Sequence, residues 1–204
     1  MSLGKLGVMT HALEEPADRR RRRTRAAILD AADALFAANG FRRTAVEQLA
    51  EAADVALSSI YANFPGGKAD VYAVLACRSA DEHVTAMRTA IDGVARGDFT
   101  AAVFDEYCRY HRENPLAFRL LGLVDIEPSD TELYGPARRR IAGRLTGLVD
   151  EVIAAAGGDP GGTRREILQM WATINGLLGL RSQGFVDATE YAQLLDDLRP
   201  GTSS

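Results

Sequence analysis

The chain is poor in the residues that usually carry catalysis or hold metals. Its 204 residues include two cysteines, three histidines and one tryptophan. Cys77 and Cys108 fall in helix-like segments without metal-ligand spacing, so they read as reduced, part-buried thiols. His11, His83 and His111 are too scattered for a His-based metal site, and His83 beside Asp81 and Glu82 reads as an exposed helix face. There is no G-x-S-x-G, no H-E-x-x-H and no phosphate-binding Gly loop, so neither an enzyme nor a cofactor is expected. No run of some 18 apolar residues occurs, which excludes a membrane-spanning helix. Residues 1–18 lack a continuous apolar core and an A-x-A site, so no secretory signal is read and a cytoplasmic location is expected.

Positive charge is outnumbered by negative charge, and it is unevenly spread. The net charge is −4, yet up to Ala80 there are 11 Lys or Arg against 9 Asp or Glu, and beyond it 13 against 19. Arg19, Arg20, Arg21, Arg22, Arg23 and Arg25 hold most of the basic excess. Such local density suits phosphate neutralisation. Residues 1–23 therefore read as a disordered basic arm, either solvated or settled on a DNA backbone or minor groove.

The most informative stretch is Thr44 to Lys68, which reads as two short helices and a turn. Thr44 followed by Glu47 has the spacing of a capping box. Val46, Leu49, Ala50 and Ala53 form one apolar stripe, and Asp54 breaks it. A second short helix begins at Ser58, or leans on Asp54, and turns Ile60 and Phe64 inward. Its remaining face is small or hydrogen-bonding, which suits a major groove. Ahead of the pair, Thr24 to Asn39 forms a helix with Ile28, Ala32, Leu35 and Phe36 on one side, ended by Gly40. Three helices of this size make a core that is marginal alone.

Gly40-Phe41, Thr44, Leu49-Ala50, Val55, Ile60-Tyr61, Asn63-Phe64 and Gly66-Gly67-Lys68 together resemble the TetR family of transcriptional regulators. The resemblance covers about Thr24 to Tyr72. Asp54, Ala56 and Ser58 depart from it, standing where the family often has Gly, Ser and Gly. It implies an all-α fold of about nine helices: a helix-turn-helix DNA-binding domain over 24–67 and a helical ligand-sensing and dimerisation domain over 68–200. Double-stranded DNA would be the partner. Thr44, Tyr61 and Lys68 would contact phosphate, and Leu57, Ser58, Ser59 and Asn63 would face bases or backbone, with Arg25 adding charge.

The body reads as further helices. One runs from Lys68 to about Arg96. Another is capped by Asp98, and Asn114-Pro115 opens the next, with Leu116, Leu120, Leu121 and Val124 inward. A helix then begins at Ser129 or at Pro136. Thr163 with Glu166 caps one reaching Gln183, and Asp187 with Glu190 caps the last. These two C-terminal helices either close the protomer core or form half of a four-helix homodimer interface; the second suits a two-fold operator. Tyr107, Tyr110, His111, Arg119, Trp171 and Asn175 are candidates to line a cavity for a small, partly hydrophobic effector. The expected function is a ligand-released repressor; a DNA-binding dimer without small-molecule control, and a small helical enzyme or carrier, are the alternatives.

Overall fold

The computed structural model describes residues 13–95, 98–157 and 159–200, and these form nine helices and no strand. In chain order the helices are α1 Arg19–Asn39, α2 Val46–Ala52, α3 Leu57–Asn63, α4 Lys68–Ile91, α5 Phe99–Glu113, α6 Ala117–Leu121, α7 Tyr134–Ala156, α8 Pro160–Ser182 and α9 Ala188–Leu198. The chain divides into two compact units that interleave in sequence. One holds the residues up to Asp81 with Pro115–Gly143; the other holds Glu82–Asn114 with everything from Arg144. The division runs through α4 and α7.

In the first unit the stripe Ile28, Ala32 and Phe36 of α1 is buried with Leu49 of α2 and Ile60 of α3. Each such large side chain contributes roughly 1.5–3 kcal/mol on burial. Phe36, Phe41 and Tyr72 meet as a ring cluster with centroids 5.1 to 5.8 Å apart. That small core gains support from the 115–143 segment. The Tyr72 hydroxyl donates to Asp125 Oδ2 at 3.0 Å, and Arg119 holds both oxygens of the same carboxylate. Burial works against the charged form of Asp125, but the Arg119 pair outweighs it and keeps the carboxyl below its usual range. The Thr131 hydroxyl donates to Asp70, fastening the same segment to the start of α4.

The second unit packs α5, α8 and α9 with the far parts of α4 and α7. Its core gathers Val84, Met87, Phe99, Val103, Leu148 and Ile174. Among the described residues no helix is long and apolar enough to cross a membrane.

Several helix ends differ from the sequence reading, each for a local reason. Asp18 caps α1 by accepting Arg21 N at 2.7 Å, so Arg19 to Arg23 are helical and the helix starts before Thr24. Residues 1–12 of the expected arm lie outside the described residues. Thr44 does not cap α2: it is 1% exposed, and its hydroxyl donates to Gly40 O at 2.9 Å. Gln48 takes the free amide of Ala45 instead, at 2.8 Å. α3 begins at Leu57, not Ser58, with Ala56 in the cap position. α4 stops at Ile91, and Arg96 lies outside the described residues. Asp98 is already helical in φ and ψ and makes no side-chain cap. Asn114 ends α5, its amide donating to Tyr110 O at 2.9 Å, and α6 starts only at Ala117. Val124 is exposed rather than inward. The helix placed at Ser129 or Pro136 begins at Tyr134. α8 is capped by Asp159, which accepts Gly162 N at 2.7 Å with Pro160 in the first turn, and not by Thr163. Asp187 caps α9 as expected.

Candidate functional site

The turn between α2 and α3 is a Schellman motif. Val55 N donates to Ala50 O at 3.0 Å and Asp54 N to Glu51 O at 3.1 Å, while Asp54 takes φ 52°. Asp enters this left-handed region more readily than most side chains. α3 offers no side-chain cap at its start, but its end is held firmly. Arg25 Nη1 donates to Asn63 O at 2.8 Å, and its guanidinium lies 4.4 Å from the Phe64 ring centre. Arg21 Nε donates to Asn63 Oδ1 and Arg21 Nη2 to Ala62 O, both at 3.3 Å. Two cations thus meet the carbonyl end of the helix, where its dipole is negative.

The F-P-G-G-K breaker has a structural account for both glycines. A Cβ on Gly66 would fall 2.3 Å from Asp70 Oδ1, and the Gly66 amide donates to Asp70 Oδ2 at 2.7 Å. Gly67 takes φ 61°, and a Cβ there would stand 3.2 Å from the Tyr61 ring. Close backbone approach therefore supports Tyr61 from behind. Lys68 reaches back across the unit, its Nζ donating to Phe41 O and Thr44 O at 2.7 Å each, over the Phe41 ring. Burial lowers its pKa.

These contacts sort the expected DNA residues. Leu57, Ser58 and Tyr61 are exposed on one side of α3, with Ser59 half-buried beside them. Arg25, Thr44 and Asn63 are buried instead. Arg25 is engaged in closing α3, Asn63 is held by Arg21 and its own amide donates to Ser59 O at 2.8 Å, and Thr44 is turned onto α1. Lys68 braces two carbonyls rather than standing free for a phosphate. The sequence reading missed Arg42 and Arg43, both exposed just before α2. Their signal was a basic pair abutting the motif. It also missed the part Arg21 plays in fixing α3.

The second unit contains a small apolar cavity of about 40 Å³. Of its twelve lining residues, seven are Val, Leu or Ile; the others are His83, Met87, Tyr107, Met170 and Trp171. The Tyr107 hydroxyl donates to Asn175 Oδ1 at 3.0 Å and accepts from Trp171 Nε1 at 2.5 Å, so Asn175 supports the wall from behind. Burial pushes the Tyr107 phenol up. Tyr110 and His111 are buried in a ring cluster with His83 and Tyr107, His83 lying 4.6 Å from Tyr110 and 5.8 Å from His111 between centroids. Arg119 belongs to the other unit, where Asp125 takes it, and it has no part in this cavity. His83 overturns its sequence reading: it is 1% exposed and lines the cavity. Burial, and then His111, push its pKa down to about 3; burial pushes His111 down to about 4. His83 Nδ1 and both ring nitrogens of His111 have no hydrogen-bond partner. Among the described residues no group of three or more His, Cys, Asp or Glu could hold a metal ion.

Residues 28–75 match the family model described as bacterial regulatory proteins, tetR family. No curated protein matches the chain. Solved structures do. The FadR fatty acid degradation regulator of Bacillus halodurans aligns at TM-score 0.62 and 17% identity, covering 87% of this chain and 95% of that one. FadR of Bacillus subtilis, solved with stearoyl-CoA, aligns at 0.61 and 19%, covering 87% and 99%. A TetR-family transcriptional regulator of Streptomyces coelicolor aligns at 0.55 and 27%, covering 86% and 95%. The α2–turn–α3 geometry and the matched segment agree: residues 28–75 form a helix-turn-helix of the tetR-family kind, which is the DNA-binding element, on an all-helical fold shared with these regulators.

Proposed function

We propose that this DNA-binding regulator is a ligand-released repressor that acts as a homodimer on a pseudo-palindromic operator. The observation that carries the reading is the apolar cavity, whose wall includes His83 and Met87 of α4, the helix whose first residue follows the helix-turn-helix. A molecule that fills the cavity acts on a helix covalently continuous with the DNA-binding head. Binding then shifts the population toward conformers with the heads wrongly spaced for successive major grooves. That FadR of Bacillus subtilis was solved with stearoyl-CoA is consistent with ligand control of this fold.

The homodimer reading rests on the C-terminal helices. Phe185 is 74% exposed, and Leu180 and Leu198 are exposed with it, an apolar surface that a two-fold partner would cover. An added Cβ on Gly176 would meet nothing within 4 Å, so close helix approach is open on α8. On DNA, Leu57, Ser58 and Tyr61 would meet bases or backbone, while Arg42, Arg43 and the exposed Arg19, Arg20 and Arg23 of α1 neutralise phosphate.

Pull-down of genomic fragments by the purified chain at near-physiological salt, followed by sequencing, tests the reading. Enrichment of a short inverted repeat is the expected result. Salt-sensitive background without a common motif would remove the specific-dimer reading.

A further inference from the structure

We infer that the cavity of the second unit takes an uncharged, largely apolar molecule bearing a single hydrogen-bonding group, such as a hydroxyl, which meets the His83 imidazole. The inference rests on the ligand-controlled reading above and names the chemistry of its ligand.

The cavity walls set the first condition. None of the twelve lining residues is Lys, Arg, Asp or Glu. A carboxylate, phosphate or ammonium enclosed there loses its hydration and finds no countercharge. Glu106, although buried, is turned away into a pair with Arg109 and does not line the space. A neutral molecule carries no such penalty. Met87 and Met170 add flexible, polarisable walls that adapt to the shape of an apolar body.

The polar groups set the second condition. Tyr107, Trp171 and Asn175 already satisfy one another, since Asn175 Nδ2 donates to Trp171 O at 2.9 Å and completes the set. His83 is different. It lines the cavity, is almost wholly buried, and its Nδ1 has no hydrogen-bond partner. A buried polar atom left without a partner is costly, and a ligand that supplies one recovers that cost on binding. A neutral imidazole offers one N–H and one lone pair, and a hydroxyl can answer either. His83 is neutral near pH 7, because burial and His111 hold its pKa at about 3. It therefore offers an anion a dipole rather than a charge.

Trp171 is the only tryptophan and stands in the cavity wall, so its emission reads occupancy directly. The full chain is titrated near neutral pH with octanol, octanoate and octylammonium, three probes of one chain length and three charges. Octanol should shift Trp171 emission saturably and bind at least about tenfold more tightly than either ion. His83→Leu should weaken octanol about fivefold, as expected for loss of one hydrogen bond. Octanoate or octylammonium binding as tightly as octanol overturns the inference and leaves ligand control standing. Octanol binding that His83→Leu does not change overturns the part given to His83. No saturable change with any probe overturns both the inference and the ligand-controlled reading. The ranking of the three probes is read on the unaltered protein, so it decides the matter even if the variant fails to fold.

Discussion

Buried polar groups at the end of α3 are answered by partners, whereas two histidines beside the cavity, His83 and His111, keep ring nitrogens without one. Asn63 is bonded through its carbonyl, its Oδ1 and its Nδ2, and Arg25 is held between a carbonyl and a ring. His83 and His111 are as deeply buried, yet three of their four ring nitrogens have no hydrogen-bond partner. A fully answered set fixes one conformation, because any other leaves a group bare. An unanswered set costs stability and leaves capacity for an incoming molecule. The helix-turn-helix needs the first property, since the exposed face of α3 must be held in register. A sensing cavity needs the second.

The largest expected break of this contrast is by acid. The unfolded chain protonates both histidines below about pH 6.5, while the folded chain holds them neutral down to about 3 and 4. Between those limits the unfolded state binds more protons, so stability falls as pH falls and is full only above about pH 6.5. From about pH 7 to about pH 5 the pair should cost on the order of 4 kcal/mol, read as a drop in the urea midpoint. Replacing both histidines by leucine should remove most of that slope. Next in size, Arg25→Ala should lower stability by about 2 to 3 kcal/mol at neutral pH, through loss of a charged hydrogen bond and a cation–π contact. Operator binding should fall with it, and Arg25→Lys should restore only part, since Lys lacks the planar fork. The smallest effect sharpens the contrast. His83→Leu at neutral pH should leave the unfolding midpoint within about 1 kcal/mol of the parent, because it deletes a group that has no hydrogen bond at Nδ1. A large loss there would place His83 among the answered groups.

The apolar framework was legible because it is local. Ile28, Ala32 and Phe36, or Ile60 and Phe64, repeat at helical spacing and are buried as that spacing implies. The polar residues were read less well. Asn63 and Ser58 are similar on paper, but an arginine 42 residues back in sequence decides that Asn63 turns in. Lys68 likewise depends on the carbonyls of Phe41 and Thr44, far outside its own helix. Around the cavity, Tyr107 and Trp171 in its wall and Asn175 behind it stood out as aromatic or amide groups on apolar helices. Arg119 was misplaced because its partner, Asp125, is only six residues on and closes a local pair. His83 was hidden by its acidic neighbours Asp81 and Glu82. A signal did exist: Ala80 and Met87 share its helix face at i−3 and i+4, and both are buried.

Asp54 bears on how this protein can change over generations. At φ 52° most side chains crowd the backbone at a cost of roughly 1–2 kcal/mol, and only Gly, Asn and Asp sit there readily. In the genetic code an Asp codon lies one base from a Gly codon and one base from an Asn codon. The hinge of the helix-turn-helix can therefore wander among its three tolerated residues by single point mutations without passing through a strained intermediate. A lineage can lose the glycine commonly found at this position and keep the turn.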